Sequence, residues 1–260
     1  MRQLCFLLIL LAGGCSSGEA PSPELTVDES LSVAERSTVQ SARIFFGHQS
    51  VGRDLLAGIA EVAPELRVVA TDEPGNIEGP AFIEASIGSN GDPRSKDRAF
   101  LEVVAKLNPG DVALYKYCFA DMRAESDPDS LFSRYQHTLD LAARSGVRAV
   151  AVTMPVTTVA PAWKRWIKQA LGKTTDAELN AKRQRFNELL RGAHTARPLI
   201  DLARWEATLE DGSSRTVSYA GRPLELLASE YTDDGSHLNA RGRRHVASQF
   251  VRALSRAIGD

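Results

Sequence analysis

Two stretches that lie far apart in this sequence carry side chains capable of nucleophilic and acid–base chemistry. In the first, residues 43–56 (RIFFGHQSVGRDLL), Ser50 stands in a glycine-flanked turn between a short apolar run and an amphipathic one. This order predicts a strand, a tight turn and a helix. A hydroxyl in such a turn lies beside free backbone N–H groups and the positive end of a helix dipole, both of which stabilise a developing anion. The alternative is that Ser50 is only the N-cap of the helix.

The second stretch, residues 231–242 (YTDDGSHLNARG), carries Asp234 and His237 three residues apart. It is predicted to be a loop that leads into a C-terminal helix. The spacing allows the carboxylate to orient the imidazole of the same turn, so that the other ring nitrogen faces a nucleophile. The alternative is a surface Asp-Gly turn with a capping histidine.

Together the two stretches resemble the first and last blocks of the SGNH (GDSL-type) hydrolases. In that family a serine follows the first strand, and an Asp-x-x-His pair precedes the last helix. The segment DGSHLNARG is close to the family's D-G-x-H-x-N-x-x-G. The resemblance implies a serine ester hydrolase in which Ser50 is the nucleophile, His237 the base and Asp234 the residue that orients His237.

The first block departs from the family pattern by one residue. The family places its serine two residues after glycine, whereas Ser50 is three residues after Gly47, so that a gapless match puts Gln49 at the nucleophile position. Glutamine cannot attack an acyl carbon, and a one-residue insertion in a turn is a small change. Ser50 is therefore the predicted nucleophile, and His48 is expected to pack beside the turn.

The inner blocks concern the oxyanion. Residues 82–93 resemble the family's second block, which implies that the Gly91 N–H and the Ser50 N–H hold the oxyanion; Gly88 is the second candidate, and the alternative is that both glycines only shape a loop. Residues 111–121 resemble the third block, but Ala120 occupies the position of the family's asparagine, which is the third donor.

The missing asparagine raises the question of a substitute donor. Asn90, Lys116 and Arg123 carry donor groups near predicted strand ends, and with Asp121 they are the candidates for the substrate pocket. The expected substrate is a small acyl ester or an acylated glycan. Two alternatives remain open: a non-catalytic ligand-binding protein on the same scaffold, and an acyltransferase that uses the same Ser–His pair.

The chain has 260 residues, 43% of them hydrophobic, which suffices for one well-buried α/β domain. Strand-like and helical runs alternate from Arg43 onward, and this pattern predicts a three-layer α/β/α sandwich with a central parallel sheet, of the SGNH or flavodoxin-like type. The predicted strands are 43–46, 66–70, 82–87, 111–117, 149–153 and 199–201; the predicted helices are 51–62, 95–107, 130–144, 176–193 and 240–258.

The N-terminal residues resemble a bacterial lipoprotein signal. Arg2 precedes an apolar run at residues 4–11, and small residues lead to Cys15, the predicted site of lipidation. This implies anchoring to a membrane of the bacterial cell envelope; an ordinary secretory signal is the alternative. The predicted organisation is a signal peptide at 1–14, a tether with a possible short helix at 15–40, and a hydrolase-like domain at 41–260.

Composition argues against several other partners. The net charge of −2 and the scattered Lys and Arg residues give no reason to expect a nucleic-acid partner.

The remaining histidines, His137, His194 and His245, lie in polar helical patterns and are expected to be solvated. No pair of them has metal-ligand spacing. No cofactor is implied. Cys118 is expected to be a small buried residue on a strand.

Trp163 and Trp166 stand in an amphipathic segment that follows the fifth predicted strand. The segment has three interpretations: an aromatic rim for a sugar or acyl chain, a helix lying on a membrane, or an ordinary packed helix. The sequence gives no expectation for the oligomeric state.

Overall fold

Six short segments form a parallel sheet at the centre of the protein. The computed structural model describes residues 30–259, except the side chains of Ala162, Arg165, Lys168 and Gln169; the predicted signal peptide, Cys15 and most of the tether lie outside the described residues. The sheet has the order β2-β3-β1-β4-β5-β6, and all its pairs are parallel. Its strands are β1 Arg43–His48, β2 Val68–Ala70, β3 Ala81–Ser86, β4 Val112–Tyr115, β5 Arg148–Val152 and β6 Leu199–Ile200.

Helices cover both faces of this sheet, and each face has its own apolar core. The helices are α1 Val33–Gln40, α2 Val51–Val62, α3 Pro93–Val104, α4 Pro128–Arg144, α5 Ala162–Ala170, α6 Asp176–Ala193, α7 Leu202–Ala207 and α8 Ala240–Gly259. Helices α1, α2, α7 and α8 pack on one face, and α3, α4 and α6 on the other. The predicted three-layer α/β/α sandwich with a central parallel sheet is confirmed.

Strand β1 lies in the middle of the sheet, between β3 and β4. Ile44 and Phe46 face one core and Phe45 faces the other, and all three are fully buried. A strand buried on both faces reads as an unbroken apolar run, which is why this segment was recognisable in the sequence. The chain leaves β1 at the carboxyl edge of the sheet, where ligands bind in folds of this kind.

The predicted strands and long helices lie within a few residues of those observed. Three elements were not predicted: the short helix α7, and the two strands of an antiparallel hairpin, β7 Thr216–Tyr219 and β8 Arg222–Glu225. The expectation that His194 and His245 are solvated was wrong, because both are buried. The His245 ring stacks on Tyr231 with 5.0 Å between ring centroids, and His194 Nε2 lies 2.9 Å from Gln136 Oε1.

Helices α2 and α8 are in close contact at Gly58. A Cβ atom at this position would lie 2.8 Å from Ala247 Cβ and would also collide with the carbonyl oxygen of Arg243. Within the part of the chain that the structure describes, no helix is long and apolar enough to cross a membrane.

We expect Gly58→Ala to lower the free energy of unfolding by about 1–3 kcal/mol, because the added methyl group overpacks this contact. Gly192→Ala is the matched control, since Gly192 lies in α6 and the space that an added Cβ atom would occupy is open. That substitution should be neutral or stabilise by up to ~1 kcal/mol. Urea denaturation of both variants measures the difference, and equal stabilities would contradict the close α2–α8 contact.

Candidate active site

Ser50 lies in the turn between β1 and α2 with a strained backbone. Its φ is 49° and its ψ is −105°, in a region that non-glycine residues rarely adopt. The residue takes the N-cap position of α2, but its side chain makes no capping hydrogen bond. The alternative that Ser50 is only a helix cap therefore fails, and its hydroxyl is available for another partner.

That partner is His237. Ser50 Oγ lies 2.5 Å from His237 Nε2, and the other ring nitrogen, His237 Nδ1, lies 2.7 Å from Asp234 Oδ2. The three side chains form an unbroken chain of hydrogen bonds. The fold thus brings together Ser50 and His237, which are 187 positions apart in the chain.

The Asp234 carboxylate is held by several donors. Its Oδ1 accepts hydrogen bonds of 2.8 Å from the backbone N–H groups of Ser236 and His237. The hydrogen bond from the His237 side chain, followed by those backbone bonds, keeps the pKa of the Asp234 carboxyl well below its usual range. Because an ionised carboxylate only accepts, the proton is assigned to His237 Nδ1, and the lone pair of Nε2 faces Ser50.

His48 packs behind the serine turn, as expected. Its Nε2 lies 2.8 Å from Glu84 Oε2, and burial lowers the pKa of the His48 imidazole. A Cβ atom at Gly52 would collide with the His48 ring. Glycine at this position therefore lets the first turn of α2 approach β1 closely, and this contact supports the conformation of Ser50.

Lys116 also lies behind the turn. Its side chain is fully buried, and its ammonium donates to the Gln49 carbonyl oxygen at 3.0 Å and contacts Cys118 Sγ at 3.3 Å. Lys116 was a candidate for the substrate pocket, but its buried ammonium instead fixes the carbonyl that precedes Ser50. Cys118 is buried as expected, although it lies just beyond β4 rather than on it.

Asp121 is a hub of hydrogen bonds beneath the site. Its Oδ1 accepts from the Gly91 N–H at 2.6 Å, and its Oδ2 accepts from the Cys118 N–H at 2.7 Å and from Lys96 Nζ at 2.5 Å. Two expectations are corrected by this geometry. Asp121 is too deeply buried to line a pocket, and the Gly91 N–H, expected to hold an oxyanion, is already engaged.

Asn90 lies in the same loop and is exposed to solvent. Its Oδ1 accepts from Lys96 Nζ at 3.1 Å, which leaves the side-chain NH₂ group as its donor. Gln49 Nε2 donates to the Gly88 carbonyl oxygen at 2.9 Å and thereby ties this loop to the serine turn. Gly88 thus contributes its carbonyl group to the site.

Of the remaining predicted pocket residues, Arg123 is half-exposed, and its guanidinium lies against Gly91.

Lys96 was missed by sequence reasoning. It reads as an ordinary helical lysine of α3, and no local pattern marks it as buried. The backbone N–H of Ser50 has no acceptor among the hydrogen bonds of the described residues.

A cleft of about 510 Å³ lies beside this triad of side chains, and Asp234, rather than Ser50 or His237, borders it. Its wall includes Phe119, whose ring centroid lies 5.7 Å from that of His237, and Arg183, whose guanidinium lies 5.8 Å from the Phe119 ring. Asp234 and Ser236 border the same cleft. A larger groove of about 760 Å³ between α3 and α4 contains no residue of the triad.

Residues 30–259 contain no group of three or more His, Cys, Asp or Glu side chains arranged to hold a metal ion.

Comparison with known proteins returns matches of structure only, since the chain matches no family model and no curated protein. It is similar to a GDSL-like lipase from Bacteroides thetaiotaomicron (15% identity, 84% of this chain and 88% of that one, TM-score 0.49). It is also similar to a lipase/acylhydrolase from Enterococcus faecalis (12%, 82% and 95%, 0.43) and to the aryl esterase of M. smegmatis (13%, 82% and 98%, 0.41). At these identities the likeness is one of fold, and the chemistry must follow from the site itself.

A buried acid supports the wall of the cleft from behind. Glu206 is fully buried, and its Oε2 accepts from the Val156 N–H at 2.8 Å, next to the cleft residue Thr157. Burial raises the pKa of the Glu206 carboxyl to about 8. The folded protein therefore holds this proton at pH values at which the unfolded chain has released it.

We expect Glu206→Gln to change how stability depends on pH. Between about pH 4.5 and 8 the folded state binds one proton more than the unfolded state, so this group makes wild-type stability fall as pH rises. The neutral amide removes that loss. Relative to wild type, the variant should gain on the order of 3 kcal/mol between pH 5 and pH 8.5.

Urea denaturation at several pH values measures this gain. Glu125→Gln is the control, because the Glu125 side chain is exposed; its stability relative to wild type should stay constant. A constant difference for Glu206→Gln as well would contradict the raised pKa.

Proposed function

We propose that the protein is a serine ester hydrolase in which Ser50, His237 and Asp234 form the catalytic triad. The observation that carries the proposal is the continuous hydrogen-bond chain from Ser50 Oγ through His237 to Asp234. The strained backbone of Ser50 supports it, since such strain concentrates at functional sites. An intact triad also favours catalysis over the non-catalytic alternative on the same scaffold.

The first chemical step is attack by Ser50 Oγ on the acyl carbon of the ester. His237 Nε2 takes the serine proton as the bond forms, and Asp234 stabilises the imidazolium. Collapse of the tetrahedral intermediate releases the alcohol, which receives the proton from His237. Water, activated by the same histidine, then hydrolyses the acyl-enzyme and regenerates Ser50.

The oxyanion needs donors other than Gly91. The Ser50 N–H is one, because it lies beside the nucleophile and has no acceptor among the described hydrogen bonds. We assign the second to the NH₂ group of Asn90. The parallel pairing of His48 with Ser86 brings the two loops that carry Ser50 and Asn90 to the same edge of the sheet. Lys96 fixes the amide oxygen of Asn90 and so orients its donor group.

The cleft supports a small ester with a polar alcohol, such as an acylated glycan. Its wall combines the aromatic ring of Phe119 with polar and charged groups, including Thr157 and Arg183.

The order of the blocks along the chain leads us to infer that the protein is an SGNH-type hydrolase. We further propose that lipid attached to Cys15 holds the enzyme at a membrane of the bacterial envelope.

Ser50→Ala should lower turnover of a short-chain aryl ester by ~10⁴-fold or more, because triad residues act as a unit. Gln49→Ala tests the alternative alignment of the turn and should retain activity within about tenfold, since Gln49 only tethers a loop. Steady-state kinetics of both variants, with circular dichroism to verify folding, make the comparison. A fluorophosphonate probe should label wild type and not Ser50→Ala.

Loss of turnover in Gln49→Ala with normal turnover in Ser50→Ala would contradict the assignment of the nucleophile. A folded wild-type protein that neither reacts with the probe nor hydrolyses any ester tested would favour the ligand-binding alternative.

Asn90→Asp should lower kcat by ~10²-fold or more, because it replaces the amide donor by an acceptor while keeping the oxygen that Lys96 binds. Ser89→Ala, at the neighbouring exposed residue, is the control and should leave kcat within about twofold. Turnover of one aryl ester by the three proteins measures the effect. An unchanged kcat in Asn90→Asp would remove Asn90 from the oxyanion hole.

A further inference from the structure

Helix α5 and the residue just after it expose an unusual amount of apolar surface. The exposed fractions are 62% for Trp163, 70% for Trp166, 43% for Ile167 and 65% for Leu171. Their spacing places the four side chains on one side of the helix. In the rest of the described chain, only Val33 and Val68 are large apolar residues with comparable exposure. A contiguous patch of this kind indicates an interaction surface.

The charge of the same segment indicates what the surface binds. Residues 162–173 contain four basic residues, Lys164 and Lys173 among them, and no acidic residue. Tryptophans beside basic residues on a short amphipathic helix are typical of helices that lie in the interface of an anionic membrane. A protein partner with an apolar face accounts for the tryptophans but does not explain why all the charges of this segment are positive.

The position of α5 connects this surface to the active site. Pro161 and Lys164 line the same cleft as Asp234 and Ser236. The segment that leads into α5 is tied to the triad loop, because the Thr158 N–H donates to the Gly235 carbonyl oxygen at 2.9 Å. Whatever surface α5 contacts therefore lies beside the mouth of the cleft.

We propose that α5 lies on the surface of an anionic phospholipid bilayer, with Trp163 and Trp166 in the interface. The predicted tether allows this contact, since residues 16–29 span at most about 50 Å from a lipidated Cys15. The consequence for catalysis rests on the proposed function: esters carried at the membrane surface enter the cleft directly.

Tryptophan emission tests the contact in the full chain, reconstituted in vesicles of phosphatidylglycerol and brominated phosphatidylcholine. The chain has three tryptophans, and Trp205 packs against the core on α7. Bromine should quench most of the wild-type emission. The Trp163→Ala/Trp166→Ala variant should emit only from Trp205, with little quenching. Val33→Ala, an exposed apolar residue on α1, is the control and should behave as wild type.

Two further arms complete the test. Replacing phosphatidylglycerol by phosphatidylcholine, or adding salt, should reduce the quenching because the attraction is partly electrostatic. The rate on a vesicle-borne ester should fall at least fivefold in the double variant, while the rate on a soluble aryl ester stays unchanged. Failure of the proposed function can be distinguished from failure of the membrane contact. If only the function is wrong, wild type hydrolyses neither ester although its emission is still quenched.

Two results would overturn the proposal. The first is that bromolipid quenches the emission of wild type and of the double variant to the same extent, or quenches neither. The second is a dimer in vesicle-free solution that shields Trp163 and Trp166 from aqueous acrylamide and dissociates in the double variant, since a second copy of the chain then covers the surface.

Discussion

Lys96 and Asp121 meet in the interior with both side chains fully shielded from solvent. Removing two charges from water is unfavourable, and their attraction compensates only if the remaining polar atoms are also satisfied. Here they are, because Asp121 also accepts two backbone N–H groups and Lys96 also donates to Asn90. The pair thereby joins the loop after β3 to the turn after β4, on either side of the serine.

For the proposed hydrolysis, this ion pair changes which groups are free to stabilise the oxyanion. Asp121 engages the Gly91 N–H, and Ala120 stands where the resemblance led us to expect an asparagine donor. Each departure removes a donor that the resemblance implied, one from the loop after β3 and the other from the turn after β4. Lys96 orients the Asn90 amide in the same loop. In the proposed oxyanion hole, a buried cation that does not contact the substrate thus orients the neutral donor group.

The sequence was informative where a local pattern carries the information. Strand β1 is an unbroken apolar run because both its faces are buried, and Asp234 and His237 share one turn. Contacts between distant residues carry no such pattern. Neither Lys96 nor Glu206 differs in the sequence from a solvated residue, and their burial depends on the packing of elements far apart in the chain. Helix α7 and the β7–β8 hairpin are too short for periodicity to reveal them.

The hydrogen bond between Ser50 and His237 also has a consequence for the order in which contacts form during folding. One partner emerges early in synthesis and the other 187 residues later, just before α8. Helix α8 packs against α2, which begins directly after Ser50. Contacts of such sequence separation form late, because a long loop must close first. If the proposed triad is catalytic, Ser50 therefore becomes reactive only when the last helix docks, and a chain that has not yet docked α8 carries an inert serine.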